Sequence, residues 1–180
     1  MRTQFLASAS LVALFFWGPV AAQPQCSSQG AAGVWGYNGL GWSIPAGGTA
    51  PAPLTMIGVL VADHVGKAAG PGTVISGAPV PGTPIPAGQP QEWEFVNGSI
   101  EVNSDCVGVF KYSIQLKGLA GPPIGPYVDR VILFPDKGQM LGMSQLSPIS
   151  KPMWIYTLTR MSAVPAPVSW PDVPAQAGPK

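Results

Sequence analysis

Tyr112 and Asp129 are the two side chains best suited to proton transfer. Tyr112 belongs to a run, residues 107–117, in which apolar and polar residues alternate, so it is predicted to face an apolar interior. In residues 127–135 neither face is cleanly polar, and the sequence leaves open whether Asp129 or Arg130 points inward. An inward carboxyl group among aromatic rings would have a raised pKa and could act as a general acid or base. At the exterior or at a rim it would be an ordinary paired charge.

Other residues that could carry catalysis are scarce. His64 is the single histidine, in the sequence Asp63-His64-Val65-Gly66, which predicts an exposed tight turn. Metal sites that need several histidines are excluded, and we expect neither a metal nor a cofactor. The chain has no G-x-S-x-G elbow, no phosphate-binding loop and no G-x-G-x-x-G before a helix. The common hydrolases and nucleotide enzymes are therefore disfavoured.

Aromatic residues at alternating positions are predicted to line an interior. We take these as the ligand-binding candidates, with Trp154 or Tyr156 in addition: Trp35, Tyr37, Trp93, Phe95, Phe110 and Tyr127. A barrel of about eight strands either fills completely with such side chains or keeps room for one small ligand. The sequence leaves both alternatives open.

The elements that must position these residues are strands. The chain contains 22 prolines and 23 glycines, and no segment has a sustained helical period. Period-two alternation between glycine and proline breaks predicts strands at 33–42, 54–63, 70–76, 91–102, 107–117, 127–135, 138–146 and 152–161. The fold class is therefore all-β.

The connections between the predicted strands alternate in length. Those at 43–53, 77–90, 118–126 and 147–151 are longer and rich in proline and glycine, whereas those at 64–69, 103–106 and 136–137 are short and polar. This alternation is typical of a single antiparallel up-and-down barrel, in which successive connections lie on opposite rims. One rim would be closed by tight turns, and the other would be ringed by proline-rich loops.

The two cysteines test this arrangement. Cys26 precedes the first strand and Cys106 lies in an even-numbered connection, so both are expected at the tight-turn end. A disulfide is therefore predicted, which would leave no thiolate nucleophile, and the alternative is two free buried cysteines.

Residues 97–110 are predicted to form a β-hairpin, in which two strands flank a tight polar turn. The inward phase changes between Trp93 and Ile100, and a β-bulge near Asn97-Gly98 would restore it. Asn97-Gly98-Ser99 is also an N-glycosylation sequon, which would carry a surface glycan in a eukaryotic source or would be a chance match.

Both ends of the chain read differently from the middle. Residues 1–22 have an early arginine, an apolar stretch and small residues near Ala22, as in a secretory signal peptide. Residues 23–162 would form the barrel domain, and residues 163–180 a flexible proline-rich tail. The full chain has nine lysine and arginine residues and eight aspartate and glutamate residues. Removal of Arg2 with the leader leaves eight of each, so the remaining chain is formally neutral. Neutrality disfavours nucleic acid and membrane surfaces as partners.

Several segments carry a family resemblance. They are Cys26, 33–37 (GVWGY), 57–66 (IGVLVADHVG), 70–74 (GPGTV) and 102–108 (VNSDCVG). Over most of residues 26–162 the chain resembles a family of small secreted β-barrel proteins similar to lipocalins and to the allene-oxide-cyclase and dirigent barrels. The resemblance implies a closed barrel whose lumen holds an apolar molecule, and in the cyclase and dirigent branches the lumen steers a reactive intermediate. The proline-rich residues 77–90 and the tail depart from this family, and no catalytic motif carries over.

We therefore expect a secreted, extracellular barrel that binds a hydrophobic small molecule through its proline-lined rim. The most concrete version is a cofactor-free cyclase or isomerase in secondary-metabolite biosynthesis, with Tyr112 and Asp129 handling protons and Trp93 as a stacking wall. The alternative is a non-catalytic ligand carrier or a surface or host-interaction protein. Whether the chain forms a homo-oligomer is left open.

Overall fold

The computed structural model describes residues 26–45, 49–79, 84–147 and 150–162 and has the predicted all-β architecture. The predicted leader 1–22 and the predicted tail 163–180 lie outside the described residues. The strands are β1 (Gly33–Pro45), β2 (Ala52–Ala62), β3 (Lys67–Ser76), β4 (Pro90–Val102), β5 (Val107–Leu116), β6 (Ile124–Phe134), β7 (Gln139–Leu146) and β8 (Ser150–Ser162). Each strand pairs antiparallel with the next, and β8 pairs with β1. The prediction of a closed up-and-down barrel of eight strands is confirmed.

Alternation decides which side chains fill the barrel. Along β5 every second residue from Gly108 to Leu116 is buried, and the residues between them are exposed or half-buried. In β6 the structure settles the question that the sequence left open, because Asp129 is fully buried and Arg130 is exposed. The interior is lined almost entirely by apolar and aromatic side chains, as expected where one face of an antiparallel sheet forms a core.

β3 and β6 each begin three residues earlier than predicted, and each contains a glycine-proline pair, of which only Gly125-Pro126 lies in a predicted connection. β3 starts at Lys67 and passes through Gly70-Pro71, and β6 starts at Ile124 and passes through Gly125-Pro126. The ladders shift register beside both pairs, between Ala68 and Gly70 and opposite residues 112–114 of β5. A proline lacks an N–H group, so it is tolerated where a bulge already interrupts the ladder.

The predicted bulge in β4 is present. The ladder between β4 and β5 shifts between Val96 and Ser99, and Asn97 has a left-handed φ of 53°. The shift brings Ile100 back to the buried face that Phe95 occupies before the bulge. The Asn97 side chain is exposed, so the sequon lies on the surface.

The tight-turn end is closed by covalent and polar contacts. Cys26 and Cys106 form a disulfide with their Cα atoms 4.6 Å apart, as predicted. Trp35 is fully buried nearby, and its indole N–H donates to the carbonyl of Ala31 at 2.9 Å. The Arg160 guanidinium lies over the Trp35 ring, 4.6 Å from its centroid, and donates to the carbonyl of Gly30. The cation–π contact and these hydrogen bonds seal this end of the lumen.

The opposite rim carries the long connections, and two of them fold inward. Ile85, between β3 and β4, is buried within the hydrophobic core. Leu119, between β5 and β6, is partly buried and packs against the same core. Access to the lumen from this rim therefore passes the side chains of these loops. No helix in the described part of the chain is long and apolar enough to cross a membrane.

Candidate functional site

The candidate site is a buried carboxyl group held by two tyrosines. Asp129, on β6, is fully buried, and its Oδ2 accepts hydrogen bonds from Tyr112 on β5 at 3.0 Å and from Tyr156 on β8 at 2.8 Å. β5 is the neighbour of β6, whereas β8 lies one strand farther away, beyond β7, and the Tyr156 ring passes over Gly142 of β7 to reach Asp129. Both hydroxyl groups are buried, so the three side chains form one water-excluded network.

The protonation chemistry of this network follows from burial. Removal from water raises the pKa of the Asp129 carboxyl from its ordinary value of 3.8 to about 6, while the hydroxyl groups of Tyr156, Ser144 and Tyr112 limit the rise. Burial also raises the pKa of Tyr112 and of Tyr156, and the nearby Asp129 charge adds to both shifts. The phenols therefore remain protonated donors near neutral pH, while the carboxyl group is close to its own titration point.

The second carboxylate oxygen lacks the well-formed hydrogen bonds that hold the first. Asp129 Oδ1 is buried and has no hydrogen-bond partner among the described residues. Ser144 lies directly across the ladder between β6 and β7, yet its Oγ also lacks a hydrogen bond of normal geometry in this part of the chain. The Ser144 hydroxyl nevertheless acts on the same carboxyl group, since it lowers the pKa of Asp129. A buried oxygen without a well-formed hydrogen bond is costly, so Asp129 Oδ1 marks a place where a ligand or water can bind.

Stacked and tilted rings surround Tyr112, which donates to the carboxyl group. The Tyr112 ring stacks on Tyr127 and Phe110 with centroids 5.2 and 4.5 Å apart, and it meets Phe95 edge to face at 4.9 Å. Phe95 in turn contacts Trp93 at 4.7 Å. Such contacts fix the position of Tyr112 and provide an apolar wall for a planar or cyclic molecule.

Glycines make room for the rings on the other side. A Cβ atom at Gly142 of β7 would overlap the Tyr156 ring, and one at Gly39 of β1 would lie 2.7 Å from Tyr156 Cβ. Both glycines face Tyr156 across their ladders. The absence of a side chain at Gly142 lets the Tyr156 ring pass over β7 to Asp129 on β6.

Each residue that the sequence suggested for the site has a definite place in the barrel. The structure brings Tyr112 and Asp129 into direct contact, and it places these aromatic candidates in one core with them: Tyr37, Trp93, Phe95, Phe110 and Tyr127. Trp35 belongs to the same core but lies at the sealed end, with its indole N–H already bonded. His64 is exposed in its turn, where Asp63 accepts hydrogen bonds from the backbone.

Sequence reasoning gave too little weight to Tyr156 and none to Ser144. Tyr156 appeared only as one of two further lumen candidates, because β8 carries large apolar residues on both faces and its alternation is weak. Ile85 and Arg160 were also missed as residues that close the two ends. The signal available for Tyr156 is its register opposite Gly142, and this can be read only with the pairing of β7 and β8 known.

The described residues hold no cluster of three or more histidine, cysteine, aspartate or glutamate side chains that could bind a metal ion. A scan of protein-family models, a search of curated proteins and a search of solved structures each find no match to this chain.

Proposed function

We propose that the protein binds an apolar small molecule in its barrel and moves a proton on that molecule with Asp129. In its most concrete form it is a cofactor-free cyclase or isomerase of secondary metabolism. One observation carries the proposal: a fully buried carboxyl group has one oxygen fixed by two phenols and the other unpaired, with its pKa raised to about 6. Perturbed carboxyl groups of this kind are suited to general acid–base work near neutral pH.

The chemistry needs the ionised carboxylate first. Above a pH of about 6, most Asp129 side chains carry a charge, and Oδ1 can accept a proton from the bound molecule. The protonated carboxyl group then returns that proton to another atom of the same molecule. Tyr112 and Tyr156 keep donating to Oδ2 throughout and hold the orientation of the group. No net proton or electron is gained, which is the balance that an isomerisation or cyclisation requires.

The surrounding rings would supply the remaining catalysis. An apolar molecule held against Tyr112, Phe95 and Trp93 would lose most of its conformational freedom before reaction. Holding reacting atoms close in this way accounts for a large part of the barrier reduction in intramolecular reactions. The disulfide agrees with the proposal of a secreted protein, because such bonds persist mainly in oxidising compartments.

Native mass spectrometry of the protein from its own secretion medium tests the binding half of the proposal. We expect a co-purified apolar small molecule, and its absence under several growth conditions would argue against a ligand-binding lumen. Turnover of that molecule should be lost in Asp129→Asn, which keeps the size of the side chain. Arg130→Gln is the matched control, because it alters the neighbouring exposed residue and should retain turnover.

A second candidate, a non-catalytic surface-interaction protein, is favoured by the outside of the barrel. Six apolar residues are 39–73 % exposed on β1, β2, β3 and β8, and we name them the apolar outer face: Leu40, Trp42, Ile57, Ile75, Met153 and Ile155. Leu40 pairs with Ile155 and Trp42 with Met153, so the residues are contiguous. A depression of about 490 Å³ is lined in part by three of them, Leu40, Ile57 and Ile75. Large exposed apolar patches often mark interaction sites.

The two candidates respond to different substitutions. Leu40→Lys with Ile57→Lys should abolish contact with an apolar surface or partner and leave ligand retention in the lumen intact. Loss of ligand retention in this double variant, with an unchanged circular dichroism spectrum, would instead place the small-molecule site on the outer face.

A further inference from the structure

Tyr37 and Trp93 form a second polar point in the lumen. They lie on one rung of the sheet, in which Tyr37 pairs with Gly58, Gly58 with Gly72, and Gly72 with Trp93. Two aromatic side chains thus flank two adjacent positions that carry no side chain. The rings lean over these glycines from opposite sides, and each also packs on Phe95, with centroids 5.4 and 4.7 Å away.

The polar atoms of both rings meet above Gly72. A Cβ atom at this glycine would overlap Tyr37 Oη and would lie 2.5 Å from Trp93 Nε1. Both residues are at least nine-tenths buried, with exposures of 3 and 5 %, and neither polar atom has a hydrogen-bond partner among the described residues. Two unpaired buried donors at one place are unusual, because buried polar groups are nearly always bonded.

The chemistry of the two donors limits what they can bind. An indole N–H only donates, and burial raises the pKa of the Tyr37 phenol, which therefore stays protonated. Together they suit an oxygen that accepts two hydrogen bonds. A carboxylate is disfavoured, because the Asp129 charge lies in the same lumen and Arg160, a cation that packs against the interior, lies at the sealed end. A neutral carbonyl oxygen meets these conditions.

This polar point is coupled to the candidate catalytic group. Tyr37 contributes to the raised pKa of Tyr156, whose hydroxyl donates to Asp129. Tyr156 therefore lies within electrostatic reach of both Tyr37 and Asp129. Phe95 packs against Tyr37 and Trp93 and also against Tyr112, which donates to Asp129.

We infer that Tyr37 and Trp93 bind the carbonyl oxygen of the ligand, and that the substrate class is an apolar ketone or enone. This inference rests on the proposed function and makes it specific. Asp129 takes a proton from a carbon next to the carbonyl group or conjugated with it. The C–H electron pair moves into the carbon framework, and the carbonyl oxygen becomes an enolate oxygen held by the two donors. The proton then returns to a different carbon, and the carbonyl group forms again.

Carvone and limonene test the oxygen site, because they share a ring and an isopropenyl group and only carvone has a ketone. We expect carvone to bind the wild-type protein, freed of any co-purified ligand, at least tenfold more tightly than limonene. Tyr37→Phe and Trp93→Phe keep an aromatic ring and should each reduce this preference roughly fivefold, the effect of one hydrogen bond. Arg130→Gln alters an exposed residue on the outside of the barrel and should leave the preference unchanged.

The infrared band of the carvone carbonyl gives an independent readout. It should move to lower frequency on binding, move less in Tyr37→Phe and Trp93→Phe, and keep its bound position in Asp129→Asn. Equal affinities for the two terpenes, or a bound carbonyl band at its position in hydrocarbon solvent, would overturn the oxygen site and leave an apolar ligand site standing. Binding of neither terpene would remove the ligand site itself, and the proposed function with it.

Discussion

Asp129 determines both the chemistry and part of the pH dependence of this barrel. Its pKa is about 6 in the folded chain against 3.8 for an unperturbed aspartate, so the folded state binds the proton more tightly than the unfolded chain does. A group with a raised pKa contributes most to stability when it is protonated, and this contribution is lost as the pH rises through the folded value. The ionised form that the reaction needs is thus the less stable form of the protein.

The first prediction concerns the loss of stability when Asp129 ionises. The free energy of unfolding of the wild-type protein should fall, relative to that of Asp129→Asn, between pH 4 and pH 7. The difference should approach about 3 kcal/mol, the equivalent of a pKa shift of about two units. Urea denaturation of both proteins across this range measures it. Parallel curves for the two proteins would mean that Asp129 titrates as it does in water.

The phenols that donate to Asp129 give a second prediction. Tyr156→Phe removes a donor that lowers the pKa of the carboxyl group, so the midpoint for Asp129 should rise above 6, and Tyr112→Phe should act in the same direction. The ¹³C resonance of the Asp129 carboxyl carbon reports this midpoint. Tyr127→Phe is the control, since its hydroxyl bonds to Ser147. A midpoint that falls in Tyr156→Phe would contradict the network described here.

The strands position the site partly through glycines, because aromatic side chains occupy the space that a Cβ atom would fill. Gly72→Ala should destabilise the barrel by about 1–3 kcal/mol, since its Cβ would overlap Tyr37 Oη and approach Trp93 Nε1. Gly36→Ala, in the same sheet, meets only the flexible Met161 side chain at 3.2 Å and should be nearly neutral. Thermal unfolding of the two variants compares them. Equal stability of the two variants would show that Tyr37 and Trp93 can move away from a Cβ atom at position 72.

The sequence predicts these elements well where one face is polar. The alternation in β5 predicted which residues point inward, and the change of phase around Asn97 predicted the bulge. It could not place Asp129, because Val128 and Ile132 make the outer face of β6 as apolar as the inner one. Only the closed ladder resolves that strand, since neighbours on both sides fix its register.

The site itself was accessible to sequence reasoning in part. Tyr112 and Asp129 could be chosen as a pair because their residue types suit proton transfer and their strands are neighbours. The role of Tyr156 depends on the registers of β7 with β6 and with β8, and the opposition of Tyr37 and Trp93 depends on registers across four strands. Such long-range register follows from the whole sheet and cannot be read from any one segment.

At the scale of the whole molecule, the disulfide closes a loop of 80 residues that includes the first four strands. Replacing Cys26 and Cys106 by alanine should lower the free energy of unfolding by about 4.5 kcal/mol on the chain-entropy model. Denaturation with and without reductant should then coincide for the variant and differ for the wild type. No difference for the wild type would mean that the link does not restrict the unfolded chain.

The barrel also has two unlike outer surfaces. β4 and β5 carry charged residues, and Glu94 of β4 forms an ion pair at 3.3 Å with Lys117, the residue that follows β5. The apolar outer face lies on other strands of the closed sheet. This asymmetry separates the two functional candidates in space. A ligand in the lumen and a partner on the apolar outer face would occupy different parts of the molecule.

A crystal structure of the protein with its co-purified ligand, or with carvone, tests the central claim most directly. We predict that the ligand lies inside the barrel against the aromatic wall, with its oxygen between Tyr37 and Trp93 and a carbon next to Asp129 Oδ1. A lumen filled entirely by side chains, with the ligand on the apolar outer face, would contradict this account.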